Sequence, residues 1–433
     1  LIGKCIEIAV EMQLSEYCEK YNVLGIHQHG FRKARSSSTA LLTAVTRWRA
    51  ERRNNKVQGV LLMDLSAAYD VLSPEIFIRK AEALKFDKNV LNWFRSYLSG
   101  RSQVVEVGSA VSERLWTRVG TPQGSPLSCL IFAIYVGDFT MWVDKYKDSL
   151  PLAYADDTFV TLWAETEADL IVKLQEVGND ILTFFASNEL IANAEKTGLL
   201  IIRPKKSNDD RLMINLGGEN ILESLEEKIL GVKVQSDLKW DSHINMIKSQ
   251  LNYRIGVLNR LKSVVGKREL KTIAEGLINS KIRYCLSVFS AEFLRTSDTD
   301  STHKHIHDLQ VLQNDTMRII MNHKRSEHVR IEDMLEEVGF LSVNRTLAYA
   351  MLIENWKAIN FGVPKLEKVF TSCTSVNRTL RSESSHLVKP TSPEPYAIIS
   401  SKLWNLSTTK FRTTNLLNIA KKEARDFLSK IPL

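Results

Sequence analysis

LAYADDTFV, residues 152–160, sets Asp156 and Asp157 side by side between two short apolar runs. Apolar runs of this length read as strands, so LPLAYADDTFVTLW is expected to fold as a tight hairpin with Ala155-Asp156-Asp157 at its turn. Adjacent ionised carboxylates close to apolar neighbours repel each other and lose hydration unless positive charge lies between them. A surface turn that carries two acids is the commoner arrangement, so the pair alone decides nothing. Its neighbours decide. VQGVLLMDL, residues 57–65, is a second buried-strand pattern, and it ends in Asp64. If that strand lies beside the hairpin, three carboxylates gather at strand ends. Such an oxygen-only set suits Mg2+, with Mn2+ as the alternative, rather than zinc. Two such ions roughly 3.5–4 Å apart can stabilise the attacking and leaving oxygens of a phosphoryl transfer.

Composition narrows the partners. The 433 residues are 44% hydrophobic and 25% charged, ordinary values for a globular protein of two to four structural units. Lys and Arg outnumber Asp and Glu by 58 to 50, and the net charge of +8 points to a polyanion such as nucleic acid. Five widely spaced cysteines without a CxxC pair argue against a zinc site or a disulfide framework, and for a reducing, intracellular setting in nucleus or cytoplasm. The longest apolar stretch, PLSCLIFAIYVGDF, is interrupted and too short to cross a bilayer, so no membrane is expected. The opening LIGKCIEIAVEMQL has no initiator Met and reads as mid-helix, as in a piece of a longer chain.

Along the chain, 1–20 and 36–53 have helical spacing, with the polar turn-like HGFRKARSS between them. Ser73-Pro74 opens one helix, and NVLNWFRSYL forms a second that stops at Gly100. RSQVVEVG and RLWTRVG read as a hairpin, PLSCLIFAIYVGDFTMWV as one largely buried helix, and 166–188 as another helix. TGLLIIR and KILGVKV read as single strands flanking a hairpin around LGGEN. From Asp241 the pattern is helical and basic, then helical to about 370. Residues 371–395, rich in Ser, Thr and Pro, form a linker candidate before a last helix, LLNIAKKEARDFLSK. The order implies an α+β sheet layered with helices, followed by a helical unit.

Two more stretches sit near the acids. GTPQGSPLS, 120–128, is either a strand-to-helix connection or a nucleotide and template platform. Tyr69, in DLSAAYD, is either a core aromatic or a ring that stands under a sugar. Taken together and in this order, DLSAAYDVLS, GTPQGSPLSCLIFAIYVGDF and AYADD closely resemble the palm motifs of reverse transcriptases. HGFRKARSSSTALL ahead of them, with NAEKTG and ILGVKVQSDLKWDSHI behind, narrows the resemblance to non-LTR (LINE-type) retrotransposons of the jockey-like group. It covers about residues 20–290 and continues more loosely to the end.

The resemblance implies a right-hand polymerase with an antiparallel palm sheet backed by helices: partial fingers over 1–56, palm over 57–235 and a helical thumb over 236–295. A helical region, 296–370, the linker, 371–395, and a terminal helical segment, 396–433, would follow. It implies that Asp64 and Asp156 bind the Mg2+ ions, with Asp157 supporting and the Leu65 carbonyl as a further ligand. Tyr69 would be the gate against a ribose 2'-OH, where most relatives carry Phe. Gln123 and Gly124 would lie under the incoming nucleotide. Lys196 would protonate the pyrophosphate leaving group. Gly231 would belong to the primer grip, while Arg32, Arg35, Lys248 and Arg254 would meet nucleic-acid backbone. The implied partners are an RNA template, a DNA primer and dNTPs.

Several alternatives stay open at this level. Lys196 also fits an exposed lysine at a strand start, and Arg32, Lys33 and Arg35 fit a solvated loop. Arg47, Arg49, Arg52 and Arg53 crowd a helix C-terminus, where cations are favourable without any ligand. His303, His305 and His307 alternate in what reads as a polar loop. Relatives carry an endonuclease and basic finger segments ahead of the stretch matched here. A folded but non-catalytic nucleic-acid-binding remnant is therefore the alternative to a polymerase.

Overall fold

The computed structural model describes residues 2–192, 197–205, 211–294, 303–363, 385–387, 390 and 394–430. The chain divides into two units. One holds the residues up to Ala40 together with Glu51–Leu230; the other holds Leu41–Ala50 and the residues from Gly231 onward.

The first unit opens with α1 (Ile2–Lys20), followed by α2 (Ser37–Arg53), whose middle turns belong to the second unit. Then come β1 (Val57–Met63), α3 (Pro74–Ala83) and α4 (Lys88–Leu98). Pro74 occupies the first turn of α3, where a missing N–H costs nothing, and the Asp87 carboxylate caps α4 by accepting from Asn89 N. Four short strands follow: β2 (Arg101–Gln103), β3 (Glu106–Val107), β4 (Ala110–Val111) and β5 (Leu115–Thr117). Next are α5 (Pro126–Tyr135), α6 (Gly137–Val143), β6 (Ser149–Tyr154), β7 (Asp157–Ala164), α7 (Glu167–Ser187), β8 (Gly198–Ile202), β9 (Met213–Leu216), β10 (Glu219–Leu222) and β11 (Glu226–Ile229).

The central sheet is antiparallel in the order β6-β7-β1-β8. β1 is buried almost throughout, which explains why its sequence is a continuous apolar run and not an alternation. Gly59 lets α7 approach, since a Cβ there would meet the Leu174 methyls at 2.7 Å. One face of β1, with Leu61 and Met63, therefore packs under α7 with Val160, Leu162 and Leu199. By alternation Leu62 and the following Asp64 belong to the other face.

Two expectations are corrected here. The long helix over 126–143 is two helices, separated at Val136, whose backbone (φ −101°, ψ 4°) leaves the helical region. KILGVKV is not one strand: Leu230 and Gly231 both have positive φ, 46° and 78°, and reverse the chain between β11 and β12 (Val232–Gln235).

The second unit continues with α8 (Asp241–Leu261), α9 (Lys267–Ala274), a π-helical turn over Glu275–Asn279, α10 (Ser280–Arg283) and α11 (Leu286–Phe289). It ends with α12 (Lys304–Met321), α13 (Ile331–Val338), α14 (Val343–Phe361), α15 (Pro395–Leu406), α16 (Thr409–Thr413) and α17 (Leu417–Leu428). The histidine trio is not in a loop. His303 caps α12 and stacks on Phe293 at 4.1 Å, while His305 and His307 lie in its first turn. The linker candidate, 371–395, lies largely outside the described residues.

Candidate active site

The hairpin carrying the acids forms as its pattern predicts, with Tyr154 paired to Asp157 and Ala155-Asp156 as the two-residue turn. Ala155 takes φ +60°, the left-handed conformation that two-residue hairpin turns require. Asp157 is the first residue of β7, just past the turn. β1 and β7 pair up to Met63 opposite Thr158, so Asp64 and Asp157 are the next residues along the two segments, and both line one cleft. Burial first, then the negative charges of Asp156 and Asp64, hold the Asp157 carboxyl above its ordinary range. The three acids thus share one electrostatic neighbourhood. Among the described residues they are not drawn into a ready-made metal cage.

The turn is held from behind by residues 27–30. His29 N donates to the Ala153 carbonyl at 2.7 Å, and Ala153 N donates to the His27 carbonyl at 3.1 Å. The buried Gln28 side-chain oxygen accepts from Gly30 N at 2.8 Å and from Ala155 N at 3.3 Å. Gly30 lies so close that a Cβ on it would stand 2.3 Å from Ala155 N. These contacts fix the backbone beneath Asp156. Sequence reasoning passed over Gln28 and Gly30; HQHG gives no local signal that its backbone meets a turn 125 residues away.

Tyr69 stands in the same neighbourhood. Its ring lies 4.6 Å from Phe132, and its phenol is held protonated to high pH by burial first, then by Asp156, Cys129 and Asp157. Burial, and then Asp156, likewise raise the pKa of the Cys129 thiol, another residue that sequence reasoning missed. The loop 120–124 is tied to the Tyr69 segment by three bonds. Thr121 N donates to the Tyr69 carbonyl at 3.0 Å, Gly120 N to the Leu72 carbonyl at 2.7 Å and Gln123 Nε2 to Asp70 Oδ1 at 3.0 Å. Gly124 has φ +77° and open space beside it. Leu65 bridges to Ala192, and Ser66 N donates to the Ile191 carbonyl at 2.9 Å. Beside the acids opens a polar cleft of about 360 Å³, lined among others by Asp64, Asp157, Gly198, Glu227 and Lys228. Glu227 is a further carboxylate the sequence did not single out; a Cβ on Gly198 would meet it at 2.9 Å.

Residues 1–234 match the family described as reverse transcriptase (RNA-dependent DNA polymerase). The chain belongs to the reverse transcriptase family. Its relatives include the probable RNA-directed DNA polymerase from transposon X-element of Drosophila melanogaster, 22% identical over 74% of this chain and 34% of that protein. Another is the RNA-directed DNA polymerase from mobile element jockey of the same species, 23% identical over 74% of this chain and 34% of that protein. The expected kinship with LINE-type elements is thereby supported, and the chain spans about a third of the length of these curated relatives. Among solved structures, telomerase from Candida albicans in complex with a telomeric RNA fragment has a TM-score of 0.40 and 15% identity. That match covers 80% of this chain and 58% of that one.

Of the remaining expected residues, Arg32 is buried and fully engaged: Nε and Nη2 bind both oxygens of Glu19 at 2.7 and 2.8 Å, and Nη1 donates to the Gly25 and Gln28 carbonyls. The Arg32 guanidinium is thus occupied within its own fold, where it braces the segment that holds the Asp156 turn. Arg35 donates to the Ile26 carbonyl at 2.6 Å, and burial lowers its pKa to about 10. In the second unit Lys248 is paired with Asp308 at 2.6 Å, Arg254 donates to the Leu277 carbonyl at 2.6 Å, and Gly231 (φ +78°) packs against Tyr284. Arg49 binds Glu292 and Glu394, each at 3.3 Å. Lys196 lies outside the described residues.

Proposed function

We propose that this chain is the reverse transcriptase portion of a LINE-type retrotransposon, extending a DNA primer 3'-OH with dNTPs on an RNA template inside the cell. The observation that carries this reading is that Asp64 and Asp157 line one cleft at the ends of the paired β1 and β7, beside the Asp156 turn, in a member of the reverse transcriptase family. On this reading β1 and the β6–β7 hairpin form the palm, which runs over 57–235. Residues up to 56 are finger elements, and 236–295 is the thumb.

The donor set fits a hard divalent cation. The available atoms are carboxylate oxygens, and their mutual repulsion at Asp157 is the charge a cation would balance. Asp64 and Asp156 would hold Mg2+, with Asp157 in support and the Leu65 carbonyl as a further oxygen. When bound, the metal supplies charge neutralisation for the phosphoryl transfer. The protein's own part is mostly positioning. Tyr69, whose ring packs on Phe132, would exclude a 2'-OH. Gln123 and Gly124 offer a polar, open loop under a nucleotide, held in place through Asp70, Tyr69 and Leu72. Lys196 is proposed to give a proton to the leaving pyrophosphate.

Primer extension on poly(rA)/oligo(dT) with dTTP and Mg2+ tests the reading, with Asp156→Ala and Asp64→Ala as controls. Incorporation by the wild-type chain that both variants lose supports a polymerase. Bound primer–template without incorporation would instead establish a non-catalytic binding remnant.

A further inference from the structure

Residues 102–116 are exposed without a break. They form a projecting two-stranded ribbon. At its base β2 pairs with β5, Ser102 opposite Trp116, and at its tip β3 pairs with β4 around Gly108 (φ +63°). Between the two pairs Val105 and Ser112 are joined by hydrogen bonds of 2.8 and 2.9 Å. A lone two-stranded ribbon is marginal in water, yet this one presents Val107, Val111, Leu115 and Trp116 to solvent, each more than 60% exposed. Its root is firm. The Arg101 guanidinium donates to the Val119 and Gly120 carbonyls at 2.9 and 2.5 Å, so the ribbon rises from the loop that carries Gln123.

Trp116 is the middle residue of β5, and Arg114 and Arg118 follow at two residues to either side, just beyond the strand's ends. The Arg114 guanidinium lies 6.0 Å from the Trp116 ring centre. Among the described residues neither Arg114 nor Arg118 forms an ion pair. An exposed indole with one such arginine two residues to either side complements a chain of bases and phosphates better than a protein surface.

We infer that the β2–β5 ribbon is a platform for single-stranded nucleic acid, one base stacking on Trp116 while Arg114 and Arg118 meet the flanking phosphates. The binding itself follows from the ribbon alone; calling the bound strand the template rests on the reverse transcriptase reading.

The test is fluorescence anisotropy of the full chain with dye-labelled 15-nucleotide single strands, RNA and DNA of one sequence, across a salt series. Trp116→Ala should weaken binding by about 5- to 150-fold. Arg114→Gln with Arg118→Gln should reduce the slope of log K against log salt by about 1.4, because two phosphates are then no longer neutralised by the protein. Equal binding of RNA and DNA, or a preference for RNA, both support the platform. Wild-type affinity and slope in both variants would overturn it, as would failure of the wild-type chain to bind either strand. Self-association lost in Trp116→Ala, with nucleic-acid affinity unchanged, would overturn it in favour of a protein interface. All three side chains are exposed, and unchanged thermal melts of the variants establish that folding is intact. Ribbon-dependent binding by a chain that extends no primer would sink the polymerase proposal and leave this one standing.

Discussion

Gly30→Ala probes how the Asp156 turn is held. A Cβ at this position would stand 2.3 Å from Ala155 N and 3.1 Å from both Ala155 Cα and the Tyr154 carbonyl carbon. All three are backbone atoms, so no side-chain rotation relieves the overlap. Ordinary contact begins near 3.4 Å, so either the 27–30 segment or the Ala155-Asp156 turn must retreat by about 1 Å. Retreat would stretch the bonds from Gln28 Oε1 to Gly30 N and Ala155 N, and from His29 N to the Ala153 carbonyl. Overpacking of this kind costs about 1–3 kcal/mol of stability. A displacement of about 1 Å in a positioning element lowers a reaction rate by roughly 100-fold. Urea denaturation and primer extension would be run on the same preparation. A variant with wild-type stability and full incorporation would refute the claim that this backbone approach positions Asp156.

Three further predictions concern other parts of the molecule. Tyr69→Ala should relax discrimination against rUTP relative to dTTP by about tenfold or more, while Tyr69→Phe keeps it; single-nucleotide incorporation kinetics decide, and unchanged selectivity in the alanine variant removes Tyr69 from the sugar site. Arg203→Met should cost about 3–5 kcal/mol in urea denaturation, because it strands the buried Glu223 carboxylate that Arg203 grips together with Glu167; a loss below about 1 kcal/mol would contradict this. Burial first, then Lys281 and Lys233, lower the His243 pKa from its ordinary 6.5 to about 4. The unfolded chain therefore takes up this proton first as pH falls. The stability is present in full above pH 6.5 and is lost toward pH 4, by roughly 3 kcal/mol. His243→Gln should flatten that part of the stability–pH curve, and an unchanged curve would refute the assignment.

The parts of the fold that were legible in the sequence are those fixed by short-range pattern. β1 and the β6–β7 hairpin are apolar runs with a turn between them, and α7 begins at Thr166, whose hydroxyl accepts from Asp169 N. Their boundaries come from local chemistry, so they read correctly. The misreadings share one cause. KILGVKV has an unbroken apolar pattern, and only the positive φ of Leu230 and Gly231 turns it into two strands. The helix over 126–143 breaks at Val136, whose non-helical backbone nothing in the apolar pattern announces. Arg32 looked like a free cation because its partners, Glu19 and the Gly25 and Gln28 carbonyls, surround it only once α1 and the following loop have folded back.

The same distinction runs through the site. Asp64, Asp156 and Tyr69 were legible because they stand in DLSAAYD and AYADD, contiguous motifs that resemble a reverse transcriptase palm. Gln28, Gly30, Cys129 and Glu227 were not, because each gains its place from an element far away in sequence. Of these silent residues, Gln28 and Gly30 hold the turn that carries Asp156. Tyr69, Asp70 and Leu72 are each bonded to the 120–123 loop, so the putting-in-place of Tyr69 and Gln123 is one event. The Asp156 turn is anchored separately, on residues 27–30. Two independently braced backbones therefore meet at the carboxylates. Damage to one brace should move its own residues and spare the other's: Gly30→Ala should lower incorporation without altering sugar selection, whereas Tyr69→Ala should alter selection with the acid turn in place.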